Sequence, residues 1–82
     1  MISVKTFPNP VRDFIHVDLS DFPNTVNIQI VDDRGSMVYQ NVVEVNRMSM
    51  IFLIDSSRFS RGVYFILVFN NTKKARSTVF KE

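Results

Sequence analysis

Two groups of side chains have residue types that could bind a metal ion. His16 and Asp18 alternate along a predicted strand, so both project from the same face of a sheet. Asp32 and Asp33 place two carboxylates in one turn, and carboxylate oxygens are ligands for calcium. Neither group is followed by the further ligands that a metal site needs. We therefore interpret the first pair as solvated and the second as turn residues, and we expect no metal and no cofactor.

Other chemistry is also poorly represented in the chain. No Ser-His-Asp arrangement, glycine-rich phosphate loop or pair of pocket carboxylates occurs, and the chain has no cysteine. Asn70-Asn71-Thr72 matches the acceptor triplet for N-glycosylation, but short triplets arise by chance and a turn uses the same residues. We therefore predict that the domain is not an enzyme.

The composition indicates one globular domain. The chain has 82 residues, of which 45% are apolar, so it can bury a small core. Its net charge of +2 is too small to indicate nucleic-acid or membrane binding. No apolar run reaches the roughly 18 residues of a membrane span.

The stretch Val63–Phe69 is the element around which a fold must be built. All seven residues are β-branched, aromatic or leucine, which is typical of a strand in the middle of a sheet with both edges paired. Side chains alternate along a strand, so one face carries Val63, Phe65, Leu67 and Phe69, and the other carries Tyr64, Ile66 and Val68.

The rest of the chain reads as further strands separated by turns. Pro8-Asn9-Pro10 predicts a rigid corner, and Asp32-Asp33-Arg34-Gly35 predicts a hairpin turn. We place Met37, Tyr39 and Val43 on one face of their strand and Val38 on the other, with a bulge near Gln40-Asn41. Asn46-Arg47 is predicted to be another turn. The seven predicted strands are Ser3–Phe7, Phe14–Leu19, Val26–Ile30, Met37–Val45, Met48–Ile54, Val63–Phe69 and Ala75–Lys81.

In two strands, the apolar residues alternate with polar ones. Ile15, Val17 and Leu19 are predicted to face the core from one strand, and Val26, Ile28 and Ile30 from the next. The last strand is basic, with Lys73, Lys74, Arg76 and Lys81. We interpret this charge as protection of an edge strand against the addition of another sheet, with the binding of a partner as the second interpretation.

Three motifs in this order resemble the type A C-terminal sorting domain of the type IX secretion system, which is found on proteins exported by Bacteroidetes. The resemblance extends from Val4 to Glu82. The motifs are Phe7-Pro8-Asn9-Pro10-Val11; Ile28 to Gly35 followed by Met37-Val38; and Ile54-Asp55-Ser56-Ser57 running into Arg61-Gly62-Val63-Tyr64-Phe65, with a basic last strand that ends in Phe80-Lys81-Glu82.

The resemblance implies an all-β fold, a seven-stranded immunoglobulin-like antiparallel β-sandwich. It implies that residues 1–82 form a single C-terminal sorting domain of a larger secreted protein. Such a domain crosses the inner membrane with its N-terminal cargo domain and is recognised in the periplasm by the outer-membrane translocon. A sortase-like surface protease usually removes it, and the cargo, often attached to lipopolysaccharide, reaches the cell surface or the medium.

The family motif can be carried over to eight positions of this sequence. Two departures are the Asp33-Arg34-Gly35 turn, where a small-residue turn is commoner, and the arginines Arg58 and Arg61 before Gly62. Lys74 and Lys81 match the basic recognition region more loosely than the rest. The positions expected to carry recognition are Pro8, Asn9, Pro10, Gly35, Gly62, Tyr64, Lys74 and Lys81.

A two-layer sandwich buries one face of each sheet, yet Val63–Phe69 is apolar on both. We therefore expect Tyr64, Ile66 and Val68 to be an outer face that is covered by the cargo domain, by a second copy in a homodimer or by the translocon. An ordinary, partly exposed apolar face is the alternative.

Two other functions fit a small β domain. An immunoglobulin-like accessory module that binds carbohydrate or protein would need a platform of aromatic side chains, for which Phe22, Tyr39, Phe52 and Phe59 are candidates. A structural spacer beside an enzyme would need no site at all. A spacer works anywhere in a chain, whereas a sorting signal of this type works only at the C-terminus.

Overall fold

The chain is seen in a computed structural model that describes residues 2–45 and 50–82. Within these ranges it forms β-strands and no helix, as predicted. The predicted strand Ser3–Phe7 is divided in two, and the predicted turn Asn46-Arg47 and the predicted strand start at Met48 lie outside the described residues. The strands are β1 Ile2–Ser3, β2 Thr6–Phe7, β3 Phe14–Asp18, β4 Asn24–Asp32, β5 Met37–Val45, β6 Ile51–Asp55, β7 Gly62–Phe69 and β8 Lys74–Lys81.

The strands form two sheets. The larger sheet has the order β1-β8-β7-β4-β5, and the smaller has the order β2-β3-β6. Neighbouring strands are antiparallel, except that β1 runs parallel to β8. The two sheets share one hydrophobic core, to which inward residues of both contribute.

β7 occupies the position that its composition predicts, with β8 on one edge and β4 on the other. Its two faces, however, are the reverse of our expectation. Tyr64, Ile66 and Val68 lie in the core, with 4%, 0% and 0% of their surface exposed. The outward face carries Phe65, which is 39% exposed, because the smaller sheet packs against the even-numbered residues. The expectation that Tyr64, Ile66 and Val68 need an external cover is therefore wrong.

The alternation predicted for β3 and β4 is confirmed. Ile15 and Val17 of β3 and Leu19 directly after it are buried, and the outward neighbour His16 is half-buried. The inward residues of β4, which are Val26, Ile28 and Ile30, are completely buried.

β5 contains a bulge, but not at the predicted place. Ile30 pairs with Tyr39 and Val31 with Met37, so Val38 is the additional residue. The insertion shifts the alternation by one position, and Tyr39 packs against the core while Met37 is 51% exposed. Placing Met37 and Tyr39 on one face was therefore wrong, because alternation reverses across a bulge.

Candidate recognition site

Residues Pro8–Arg12 form the corner between β2 and β3 and bring the family motif against the end of β8. Both prolyl bonds, Phe7–Pro8 and Asn9–Pro10, are cis. The side-chain carbonyl of Asn9 accepts a hydrogen bond from the backbone N–H of Phe80, at 3.0 Å. Pro8, Asn9 and Pro10 are themselves exposed, so the corner is both anchored and accessible.

Val11 continues this contact through its backbone. Its N–H donates to the carbonyl of Phe80 at 2.7 Å, and its carbonyl accepts the N–H of Glu82 at 2.9 Å. The pair Val11 and Lys81 forms a parallel bridge, and the Val11 side chain is completely buried. The guanidinium Nε of Arg12 lies 3.1 Å from Oε1 of Glu82 in an exposed ion pair. We call the combined segments Pro8–Arg12 and Phe80–Glu82 the terminal junction.

Lys81 is a buried cation at the centre of the terminal junction, with 8% of its surface exposed. Its ammonium donates a hydrogen bond to the backbone carbonyl of Arg12. The hydroxyl of Ser56, which is completely buried, donates to the same carbonyl at 3.4 Å. The N–H of Ser56 donates to the carbonyl of Asp13 at 2.8 Å, so the loop after β6 also supports the corner. A buried ammonium requires such a partner, because its desolvation is costly.

The N-terminal segment also contacts the first half of β8. β1 pairs with Ala75 and Arg76, and the hydroxyl oxygens of Thr6 and Ser77 lie 2.6 Å apart. β8 therefore lies between β7 and the N-terminal segment, and is not an edge strand. The interpretation of its basic residues as edge protection is wrong for this fold, because β1 pairs with Ala75 and Arg76 on that edge and Val11 pairs with Lys81.

Gly62 and Tyr64 adjoin the terminal junction from β7. Gly62 pairs directly with Lys81 and has a φ of +152°. The hydroxyl of Tyr64 donates to the carbonyl of Ser60 at 2.6 Å, and its ring packs on Phe59 with centroids 5.1 Å apart. Tyr64 thus fastens the loop before β7 to the core.

Gly35 lies in the turn between β4 and β5, with a φ of +87°. The carboxylate of Asp32 accepts the N–H of Arg34 at 3.0 Å and of Ser36 at 2.9 Å. The hydrogen bond from Ser36 is the main cause that lowers the pKa of Asp32. Asp32 pairs with Tyr64, so this turn lies at the same end of the larger sheet as the terminal junction. The predicted hairpin turn is confirmed.

Lys74 is at the opposite end of the sheet, where it pairs with Phe69. The preceding turn is closed by Asn70, whose side-chain oxygen accepts the N–H groups of Thr72 and Lys73 at 3.0 and 2.9 Å. The fold therefore places seven of the eight expected positions at one end of the larger sheet, with Gly35 in a turn two strands away from β8, and places Lys74 at the other end.

The side chains of His16 and Asp18 are held by contacts with neighbouring protein groups. Nδ1 of His16 lies 3.2 Å from the carbonyl oxygen of Phe7, and the two rings stack with centroids 4.9 Å apart. Asp18 accepts hydrogen bonds from the N–H and hydroxyl of Ser20, and the bond from the hydroxyl is the main cause that lowers its pKa. Among residues 2–45 and 50–82, no three His, Cys, Asp or Glu side chains are placed to hold a metal.

The aromatic residues proposed for a binding platform pack against the core instead. Phe22 is only 4% exposed, and the ammonium of Lys73 lies 5.0 Å from its ring centroid. Tyr39, Phe52 and Phe59 are partly buried against the core. The described part of the chain also has no helix that is long and apolar enough to cross a membrane.

Val11 and Ser56 lie within the family motifs but were not among the expected recognition positions, and Arg12 was in neither set. Val11 and Arg12 contribute backbone atoms, and Ser56 a buried hydroxyl. Their contacts join segments that are distant in the chain, and a residue pattern contains no signal for such pairs.

Comparison with known proteins assigns the chain to a family. The family model described as "Secretion system C-terminal sorting domain" matches residues 5–82. A search of curated proteins found no match. The match covers both segments of the terminal junction and nearly all of the chain. The chain therefore belongs to the family of C-terminal sorting domains, which act as signals for type IX secretion.

Proposed function

We propose that the terminal junction is the part of this sorting signal that the type IX machinery recognises. Membership of the family makes the domain a signal that directs an attached cargo protein to the cell surface or the medium. This family is not a family of enzymes. The single observation that supports the junction is that Asn9 and Val11 are hydrogen-bonded to Phe80 and Glu82, which joins the first and last family motifs into one surface.

The composition of the terminal junction suits protein recognition. Pro8, Pro10 and the ion pair between Arg12 and Glu82 are exposed. Proline has a fixed φ and little conformational entropy to lose, so a partner can bind this corner at low entropic cost. The buried ammonium of Lys81 supports this surface, because its hydrogen bond holds the Arg12 carbonyl in place.

The other motif residues shape the same end of the domain. Gly35 and Gly62 permit backbone conformations that other residues rarely adopt, and Tyr64 fixes the loop before β7. In our proposal these three residues position the recognised surface, and Pro8, Asn9 and Pro10 present it.

The proposal extends to the biological setting that the family implies. We infer that residues 1–82 are a single C-terminal domain, with an immunoglobulin-like sandwich fold, of a larger protein exported by a member of the Bacteroidetes. Its cargo domain precedes it, and its partners are the outer-membrane translocon, met in the periplasm, and a sortase-like surface protease.

A fusion experiment tests the recognition site. Residues 4–82 are attached to the C-terminus of a fluorescent protein that carries a signal peptide, in a host with type IX machinery. Deletion of 75–82 removes buried Ala75 and Val79, so it would unfold the domain and cannot locate recognition. The sharper variant is R12E/E82R, which exchanges the charges of an exposed ion pair and keeps the pairing. The matched control is K5E/E44R, an equal exchange at exposed residues outside the terminal junction.

We expect the wild-type fusion and K5E/E44R to reach the surface or the medium, and R12E/E82R to remain in the periplasm as a folded protein. Export of R12E/E82R at the wild-type level would contradict recognition at the terminal junction. Periplasmic retention of a folded, intact wild-type fusion would contradict the sorting function itself.

A further inference from the structure

The outward face of the larger sheet carries a row of four apolar side chains along β7. We call Val63, Phe65, Leu67 and Phe69 the apolar row. Phe65 is 39% exposed, and the other three are half-buried. Val31 of β4 pairs with Phe65, and Met37 of β5, which is 51% exposed, pairs with Val31, so apolar surface extends across three strands. Contiguous apolar surface of this kind commonly marks an interaction site.

Two cations lie beside the apolar row on β8. Lys74 pairs with Phe69 and Arg76 with Leu67, and both basic residues are exposed. Glu44 of β5 is exposed on the same face, where it pairs with Thr25, but β4 and β7 separate it from β8. The outward positions of β4, β7 and β8 contain no carboxylate that could neutralise the two cations. These positions are Thr25, Asn27, Gln29 and Val31; Val63, Phe65, Leu67 and Phe69; and Lys74, Arg76, Thr78 and Phe80.

A shallow pocket lies where the apolar row meets the cations. It has a volume of about 230 Å³ and is lined by Leu67, Phe69, Lys74 and Ala75. Small-molecule sites usually enclose about 300–1,000 Å³. The smaller volume suits one large apolar side chain of a polypeptide, with an acidic group next to it at Lys74.

We propose that this face binds an extended polypeptide segment of the export machinery in which acidic and apolar side chains alternate. The apolar side chains would cover the apolar row and fill the pocket, and the carboxylates would pair with Lys74 and Arg76. This inference rests on the proposed function, and it gives Lys74 a role at a surface separate from the terminal junction.

The charges favour this partner over two others. A symmetric contact between two copies would place two Lys74 and two Arg76 side chains in one interface, and like charges in an interface are unfavourable. An anionic membrane is usually bound by clusters of about four to eight basic residues. This face presents Lys74 and Arg76 beside the apolar row, and the guanidinium of Arg61 lies 5.9 Å from the ring centroid of Phe80, so it has fewer cations than such a cluster.

Fluorescence anisotropy with labelled peptides tests the proposal on the 82-residue chain. The probe is a peptide of about ten residues that alternates Glu and Leu, long enough to span β7. Peptides that alternate Lys and Leu, or Glu and Ser, serve as ligand controls. The variant is K74E/R76E, and the matched protein control is K5E/R58E, which makes the same change in net charge at exposed residues elsewhere.

We expect the Glu-Leu peptide to bind the wild type and K5E/R58E, and K74E/R76E to lose at least about tenfold in affinity. Binding should weaken as salt is added, since the contacts are exposed. Equal binding to K74E/R76E, preference for the Lys-Leu peptide or no binding at all would overturn the proposal.

Two further measurements separate the competing occupants. Binding of the chain to phosphatidylglycerol vesicles but not to the Glu-Leu peptide would assign the face to a membrane and overturn the proposal. Self-association in sedimentation that is lost in Phe65→Ser would assign it to a second copy, with the same consequence. In the fusion assay, normal export of K74E/R76E beside normal export of the wild type would refute the role of this face and leave the sorting function intact.

Discussion

The side chain of Asn9 and the backbone of Phe80 are joined by a 3.0 Å hydrogen bond across 71 residues of sequence. This bond connects the corner before β3 to the last strand, and Val11 adds two backbone bonds beside it. The family motif near the N-terminus therefore has a structural role, because its hydrogen bonds hold the C-terminal end of β8 in place.

Replacing Asn9 should weaken this support. In Asn9→Ala the N–H of Phe80 loses its acceptor, so we expect the free energy of unfolding to fall by about 1 kcal/mol in chemical denaturation. Asn9→Asp keeps an acceptor oxygen and should lose less. Asn71→Ala, at an exposed turn position, is the control. An Asn9→Ala protein as stable as wild type would show that the bond is not formed in solution.

Lys81 should tolerate an apolar replacement better than an acidic one. Lys81→Met keeps the buried stem, and the Arg12 carbonyl still accepts the Ser56 hydroxyl, so we expect a loss within about 1 kcal/mol. Lys81→Glu places an unpaired carboxylate against that carbonyl and should cost about 3 kcal/mol or more. Thermal and chemical denaturation measure both variants. Equal stability of the two would contradict the buried position of the ammonium.

Substitution by asparagine should cost less stability at Gly35 than at Gly62. Among residues 2–45 and 50–82, and apart from each glycine's own neighbours in the chain, no atom lies within 4 Å of a Cβ added at Gly35 or Gly62, so we expect the costs of substitution to arise from the backbone. At Gly35, with φ +87°, Ala should cost about 1 kcal/mol and Asn less, because Asn tolerates positive φ. At Gly62, with φ +152°, both should be costly, since that region is used almost only by glycine. Recovery by Asn at both sites would argue against this backbone geometry at Gly62.

Stability should fall in acid because three carboxylates are held in their charged form. The pKa values of Asp18, Asp32 and Asp55 are lowered, mainly by hydrogen bonds from Ser20, Ser36 and Ser57 respectively. A group with a lower pKa in the folded state stabilises the fold above its unfolded pKa, and that contribution disappears as the pH falls through the folded value. The free energy of unfolding should therefore decrease from about pH 5 towards about pH 2.

Asp32→Asn separates charge from turn geometry in this experiment. The amide oxygen can still accept the N–H groups of Arg34 and Ser36, but it does not titrate in this range. We expect a shallower loss of stability in acid than in wild type, measured by denaturant midpoints across the pH range. Asp33→Asn makes the same change in charge in the same turn and should leave the acid dependence closer to that of wild type.

The elements of this fold were predictable where alternation is regular. β3, β4 and β7 follow their patterns, since each has a continuous run of apolar inward positions. The face of β7 that is buried was not predictable, because both faces are apolar and the choice depends on where the smaller sheet packs. The bulge at Val38 was predicted at the wrong position for a related reason. Apolar residues lie on both faces of β5, so the pattern does not show where the alternation reverses.

The candidate site was predictable only in part. Pro8, Asn9, Pro10 and Lys81 were identified from the family resemblance, but their contact was not. Pairing between residues 9–12 and 80–82 depends on the closure of the whole sheet, and local sequence carries no information about it. The separation of Lys74 from the others likewise follows from strand direction alone, because Lys74 and Lys81 stand at opposite ends of β8.

The parallel contact between Val11 and Lys81 has a consequence for quality control. A ribosome makes residues 8–12 long before residues 80–82, and the surface that joins them exists only after both have been translated and folded. A truncated chain, or one whose last strand is misplaced, cannot display that surface. Export that depends on it would thus select finished molecules and leave incomplete ones behind.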